Sequence, residues 1–305
     1  MLVNLTLRNV PHWKGRPHVV LRPMSPFGRY WADPIRLVEA VAHQTESIMF
    51  TACRHIPNAK DREYYTEFDD LADVEVRFLS AMVMALGLDE GVVAPYPVSD
   101  SFAVEYNGPL HDHDFLRKAG GALQAEIEGM RRFATSPPIV ASEGAPFEYH
   151  HLPLSLTKLA DVFSAVSRDD DLMMRGLHAL LKSRMIAMHF ELAEEANYPL
   201  YVALDALFSL IRRQLIKMGN PNPSSYDAQA FVHHLFDEDQ SGMRFFEEFY
   251  DDRIMTMHPE NRYGIFRHAP ISHCDFHSLF ETVREVYREI ALFSKRASAS
   301  NNTPD

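Results

Sequence analysis

The sequence predicts a mainly α-helical protein, with an α+β region at its N-terminal end and a helical bundle at its C-terminal end. Short runs with strand-like alternation lie before residue 110, whereas apolar residues recur with the helical period of about 3.6 after residue 155. A proline-rich stretch over 134–155 separates these two patterns as a linker would. We therefore assign 1–150 to an α+β region of unknown fold, 155–295 to the bundle and 296–305 to a disordered tail.

Composition limits the classes of protein to consider. The 305 residues are 46% hydrophobic, which is enough for the core of one large domain or two ordinary ones. The net charge of −12 argues against bulk electrostatic capture of duplex nucleic acid or an anionic membrane, so any polyanion site must be focal. Two distant cysteines, the lack of a secretory leader pattern and the lack of a long apolar run predict a cytoplasmic protein with no membrane partner.

The N-terminal region begins with short elements. Residues 2–8 and 17–23 alternate as strands do, and we expect them to form a small β-ribbon. Asp33-Pro34 before an apolar stripe predicts a helix over 33–42, with aspartate as N-cap and proline at the first helical position. The end of this helix stays open, because 47–53 suits a strand equally well.

Longer elements follow in the same region. Apolar spacing predicts a helix over 66–87 that ends at a glycine cap, and then a strand over 99–106. A second helix is predicted over 113–133, although Gly120-Gly121 weakens it.

Five helices are predicted in the bundle. Asp169-Asp170-Asp171 begins the first, where acidic side chains match the helix dipole. Tyr198-Pro199 opens the second helix, and Gly219 ends it. The predicted N-caps of two later helices are Ser224 or Ser225 for the third and Asp275 for the fifth.

The fourth predicted helix, over Phe245 to Pro259, combines an apolar stripe with an arginine and a histidine. Phe246 lies on the stripe, and Arg253 falls on or beside it. His258 follows Arg253 by five residues, which on a regular helix separates the two side chains by about 140°. They converge only if the helix unwinds near His258, and the following proline favours that unwinding.

This pattern resembles the HEPN superfamily (higher eukaryotes and prokaryotes nucleotide-binding). The resemblance covers roughly residues 170–293 and rests on the Arg253-x4-His258 pattern, on the alanine- and leucine-rich helix around 201–207, and on the helix order. Many members of that family are metal-independent ribonucleases, often toxins or defence proteins, in which the motif meets its copy across a dimer. The resemblance thus implies a hydrolase that acts on RNA as a homodimer, without a cofactor, and with an antitoxin or regulatory partner.

The resemblance also implies roles for the two motif residues. His258 would be the general base or acid at the ribose 2′-hydroxyl, and Arg253 would hold the scissile phosphate. Their chemistry suits these roles, because a histidine with a pKa near 6.5 exchanges a proton near neutral pH and an arginine offers a rigid cationic fork to a phosphate.

Other basic residues in the second half are candidates for binding substrate phosphates. They are Arg212, Arg262 and Arg267. We expect Arg213 and Lys217, which lie near Arg212, on a solvated helix face instead.

Two alternatives stay open. Active members of the family commonly have a polar residue after the motif arginine, and this chain has Ile254, which favours a non-catalytic nucleotide-binding regulator or scaffold. Arg253 would then pair with a nearby acid, and His258 would be a helix-end cation favoured by the dipole. The third hypothesis is a zinc-binding protein, with four candidate ligands at His268, His273, Cys274 and His277. The sequence has no Walker loop, dinucleotide fingerprint, H-E-x-x-H or G-x-S-x-G motif.

Overall fold

The computed structural model divides the chain into two compact units. One unit holds Met1–Leu79 and Asp89–Leu156, and the other holds Ser80–Leu88 and Thr157–Asp305. The described residues are 8–9, 17–25, 35–45, 48–56, 71–85, 96–97, 101–129, 155–187, 192, 194–236, 246 and 273–300. Within them the fold is mainly helical with a small antiparallel sheet, as the sequence predicts.

The sheet has seven strands, and every pairing in it is antiparallel. The strands are β1 Arg8–Asn9, β2 His18–Ser25, β3 Ile35–Arg36, β4 Ala40–Gln44, β5 Met49–His55, β6 Tyr96–Pro97 and β7 Phe102–Val104. Their order is β1-β7-β2-β5-β4-β3, and β6 also pairs with β2. The strand β2 therefore pairs with three strands that follow it in the chain.

One face of the sheet forms the core of this unit. Val19 and Leu21 share one face of β2, because side chains two apart on a strand point to the same side. Both side chains are fully buried. They belong to an apolar cluster with Phe50 of β5 and with Phe115 and Leu123 of the helix α2, His113–Gly129.

The described residues form six helices in addition to α2. They are α1 Asp73–Ala85, α3 Leu156–Ala165, α4 Asp171–Ala187, α5 Asn197–Lys217, α6 Ser225–Leu235 and α7 His273–Ser300. None of the helices in this part of the chain combines the length and the apolar character that crossing a membrane requires.

The helices α4, α5 and α7 of the second unit pack closely around Gly176. A β-carbon added at Gly176 would lie 2.8 Å from Cζ of Tyr287 and 3.0 Å from Cβ of Ala206, so the tyrosine ring occupies the space a side chain would need. The Tyr287 hydroxyl donates a hydrogen bond of 2.6 Å to the carbonyl of Ala203. Burial raises the pKa of this hydroxyl well above its usual value, so it stays protonated and remains a donor.

Several predicted helix ends of the second unit are confirmed. The helix α5 begins at Asn197 and ends at Lys217, and Gly219 just beyond it adopts a positive φ of 99°. Ser224 caps α6 through a capping box, in which its hydroxyl accepts from the Asp227 backbone while the Asp227 carboxylate accepts from the Ser224 backbone.

The helix predicted over 33–42 is wrong in its described part, because Ile35–Arg36 and Ala40–Gln44 form β3 and β4. The predicted N-cap Asp33 and the following Pro34 lie outside the described residues. Val38, which the helical stripe would bury, is 93% exposed in the connection between the two strands. The pairing of β4 with β5 brings Ala40 opposite Cys53, and this partner lies beyond the reach of a local N-cap signal.

The predicted β-ribbon between 2–8 and 17–23 is described only in part, because residues 2–7 lie outside the described residues. Arg8 lies in β1, and β7 separates β1 from β2 in the sheet, so the described end of the first segment does not pair as predicted. Alternation identifies strands without identifying their partners.

Two predictions about the last helix fail. The helix α7 begins at His273, so Asp275 lies in its first turn and is not its N-cap. The same helix continues to Ser300, so 296–300 of the predicted disordered tail are helical, and 301–305 lie outside the described residues.

Candidate functional site

The predicted catalytic residues Arg253 and His258 lie outside the described residues, and so do Arg262 and Arg267. The Arg-x4-His motif therefore remains a prediction from the sequence. The described residues bear on the segment that precedes it and on Arg212.

Phe246 is the described residue closest to the motif in sequence, seven positions before Arg253. It is only 7% exposed, in agreement with the apolar stripe predicted for this segment. Its ring centroid lies 5.1 Å from that of Phe208 on α5, and the two rings are tilted by 62°. Phe246 itself is thus packed against α5.

Arg212 is exposed on α5, one turn after Phe208. Its guanidinium carbon lies 5.9 Å from the centroid of the Phe208 ring, which is within the range of a cation–π contact. Side chains on a helix lean toward its N-terminal end, so an arginine reaches back over the side chain four residues earlier. Arg212 and Phe246 therefore lie against the same aromatic ring.

Arg213 differs from its neighbour, and the expectation of a solvated helix face is wrong for it. Its guanidinium forms an ion pair with both carboxylate oxygens of Asp170, the residue before α4. Burial acts to raise the pKa of the Asp170 carboxyl, but hydrogen bonds from Arg213 and from the backbone of Met173 outweigh it and lower the pKa below its usual value. Arg213 thus links α5 to the start of α4, whereas Lys217 is exposed.

The proposed zinc ligands are only partly described. His268 lies outside the described residues, and for His273 and Cys274 the structure places the backbone in α7. The ring of His277 lies 6.0 Å from that of Phe276, centroid to centroid. Among the described residues no group of three histidine, cysteine, aspartate or glutamate side chains could hold a metal ion.

A buried ion pair in the first unit was not foreseen. Arg22 Nε donates to Glu75 Oε1 at 2.6 Å and Arg22 Nη2 donates to Glu75 Oε2 at 3.1 Å, with side-chain exposures of 3% and 1%. Glu75 also accepts from the backbone N–H of Ala72, just before α1, and so caps the helix. The sequence holds one signal for this pair, because Arg22 interrupts the apolar run of β2, but its partner lies 53 residues away.

Cys53 lies on the face of the sheet that carries Arg22. Burial and the nearby Glu75 charge raise the pKa of the Cys53 thiol well above its usual value, although Arg22 and the Thr51 hydroxyl act in the opposite direction. A thiol that resists ionisation is a poor nucleophile, so this cluster of buried side chains is suited to structure rather than to cysteine chemistry.

The second unit contains a buried arginine of its own on α7. Arg284 Nη1 donates to the carbonyl of Val83 at 3.1 Å, and Nη2 lies 2.8 Å from a carboxylate oxygen of Glu285 and 2.6 Å from one of Glu281. Burial raises the pKa of the Glu281 carboxyl, an effect that the Arg284 charge opposes and the Glu285 charge reinforces. Arg284 and its partners are not among the candidate residues that the sequence suggests.

Comparisons with protein-family models, with curated proteins and with solved structures find no significant match to this chain. The class defined by the described residues is therefore a mainly helical protein with a small antiparallel sheet, and its function is argued from its own residues.

Proposed function

We propose that this chain is an RNA-directed protein of the HEPN type, a metal-independent endoribonuclease with Arg253 and His258 as its catalytic residues. The observation that carries the proposal is the Arg253-x4-His258 spacing in a segment whose preceding residue Phe246 is buried against α5. This burial supports an apolar stripe in the motif segment. The exposed Arg212 lies against the same ring as Phe246 and supplies a cation beside Phe208.

The proposed reaction is an internal transesterification. His258 takes the proton of the ribose 2′-hydroxyl, the freed oxygen forms a bond to the adjacent phosphorus, and the bond from phosphorus to the 5′-oxygen breaks. The products are a 2′,3′-cyclic phosphate and a 5′-hydroxyl, because the leaving 5′-oxygen takes a proton from water and His258 returns its proton to the solvent. Arg253 stabilises the charge on the phosphate oxygens throughout.

A homodimer and a regulatory or antitoxin partner belong to the same proposal. Both follow from the resemblance, in which two copies of the motif share one site. The first unit would then sense or target the activity of the helical unit.

The test is the cleavage of total cellular RNA in the presence of a chelator. The wild type is expected to cleave, and both His258→Ala and Arg253→Ala should lower the rate by at least about a hundredfold, as the loss of general acid–base catalysis does. His234, an exposed histidine on α6, provides the matched control, and His234→Ala should cleave as the wild type does. Intact RNA in every lane, or equal cleavage by all variants, would reject the proposal.

The second candidate is a nucleotide-binding regulator or scaffold without catalysis. Ile254 favours it, since a polar residue commonly supports the motif arginine in active members. RNA binding that survives in the wild type without any cleavage would select this candidate.

A further inference from the structure

Arg212 and Arg213 are adjacent on α5 but have different surroundings. Arg213 is half-buried and paired with Asp170, whereas Arg212 is exposed, and no carboxylate among the described residues pairs with it. A guanidinium carries five N–H donors and a permanent charge. Because Arg212 is exposed, a ligand can reach its side chain.

The Arg212 side chain also has a support. Its guanidinium lies over the half-buried ring of Phe208, and the buried Phe246 packs against that ring. A packed ring restricts the positions of a cation held 5.9 Å from its centroid, and the Arg212 residue stays exposed. Ile216, one turn further along α5, is 51% exposed and extends the surface with apolar area.

We propose that Arg212, supported by Phe208, stacks on an unpaired nucleobase of the RNA substrate. Guanidinium planes and aromatic rings stack on bases, and a base is accessible to them only where it is splayed out of a helix. A chain with a net charge of −12 is poorly suited to track a long row of phosphates, so a focal contact that combines one charge with one stacked base is favoured.

This inference rests on the proposed function and adds to it. It names an unpaired base as the feature that the protein recognises, and it makes Arg212 the residue that holds this base.

The experiment measures the equilibrium binding of a fluorescein-labelled oligoadenylate by anisotropy, in the His258→Ala background so that the probe stays intact. Arg212→Gln should weaken binding about tenfold, as the loss of one stacked base does. Arg212→Lys should not restore it, because lysine keeps the charge and lacks the plane. Lys217→Gln removes an exposed charge from the same helix, and it should change the dissociation constant by no more than about twofold, as expected for a screened surface charge.

A second probe of the same length with abasic sites separates stacking from charge. Arg212→Gln should change its weaker binding by no more than about twofold, as the loss of a screened surface charge does. Equal losses in Arg212→Gln and Lys217→Gln, full rescue by lysine, or an equal loss with the abasic probe would each overturn the inference. Matching melting temperatures of all variants exclude unfolding as the cause.

The two proposals fail separately. If the wild type cleaves RNA but Arg212→Gln binds the probe as tightly as its parent, the stacking inference is wrong and the nuclease proposal stands. If the wild type does not cleave RNA but Arg212→Gln and Arg212→Lys both lose affinity for the probe, the nuclease proposal is wrong and the stacking inference stands. Failure to bind either probe overturns the stacking inference.

Discussion

Each of the two units buries an arginine, and the two arginines differ in where their partners come from. Arg22 and Arg284 have the same side-chain exposure of 3%. Arg22 gives two N–H groups to Glu75, 53 residues away, whereas Arg284 contacts carboxylates three residues before it and one residue after it on its own helix.

The difference decides what each arginine can specify. The pair in the first unit joins β2 to the first turn of α1, so it forms only when the chain has brought the two elements together. The carboxylates around Arg284 are already close in an isolated α7, and the bond to the Val83 carbonyl adds a long-range contact. A buried charge with a distant partner is compensated only in the folded state, whereas partners on the same helix compensate the charge wherever that helix forms.

Glu75→Gln is the strongest test of this comparison. It leaves the buried Arg22 charge without its carboxylate, and we expect the free energy of unfolding of the first unit to fall by about 3–5 kcal/mol. Hydrogen exchange of the β2 and β5 amides measures the loss locally.

The matched control is Glu39→Gln in the same unit. Glu39 is 44% exposed and lies 3.6 Å from Arg77, so its loss should cost less than about 1 kcal/mol. Equal effects of the two variants would mean that burial does not distinguish the two pairs.

Gly176→Ala tests whether the second unit depends on steric fit rather than on buried charge. The added β-carbon meets the Tyr287 ring, and overpacking of this kind should lower the free energy of unfolding by about 2 kcal/mol. Hydrogen exchange of the α4 and α7 amides measures this loss. Gly121→Ala on α2 is the control, because nothing lies within 4 Å of its added β-carbon, and it should stabilise the protein by up to about 1 kcal/mol. A tolerated alanine at position 176 would show that α7 can shift.

Glu281→Gln should change the free energy of unfolding least of all these variants. It removes a local partner of Arg284, and so compares directly with the removal of the distant partner of Arg22. The pKa of Glu281 in the folded protein is raised above its ordinary value of 4.5, so ionised Glu281 opposes folding at neutral pH, and this penalty disappears as the pH falls below 4.5. The variant should match or slightly exceed the wild type in urea unfolding at pH 7, within about 0.5 kcal/mol.

The difference between this variant and the wild type should be gone by about pH 4, where the carboxyl is neutral. A loss as large as that of Glu75→Gln would contradict the distinction between local and distant partners.

The sequence predicts best those elements whose limits are local. The helix α5 matches its prediction because Tyr198-Pro199 and Gly219 mark its ends and its apolar period is regular. The segment 33–42 fails for the opposite reason, since its strands are stabilised by pairing with β5, which a local helix signal cannot anticipate. Long-range contacts, and not weak propensities, account for the error.

The same limit applies to the candidate site. The motif residues and Arg212 can be chosen from the sequence because residue type and spacing suggest their chemistry. That Arg213 pairs with Asp170, 43 residues earlier, and that Arg212 rests on Phe208 could not be chosen in this way. Two adjacent arginines look alike in the sequence, and only their neighbours in space tell them apart.

The central position of β2 has a consequence for synthesis on the ribosome. This strand ends at Ser25, and its partner strand β7 ends at Val104, so 104 − 25 = 79 further residues are translated before both of its edges can pair. At about 5–20 residues per second this takes roughly 4–16 s. Until then the apolar run Val19-Val20-Leu21 has an edge without its native partner β7, and an apolar strand with an open edge is exposed to pairing with other chains.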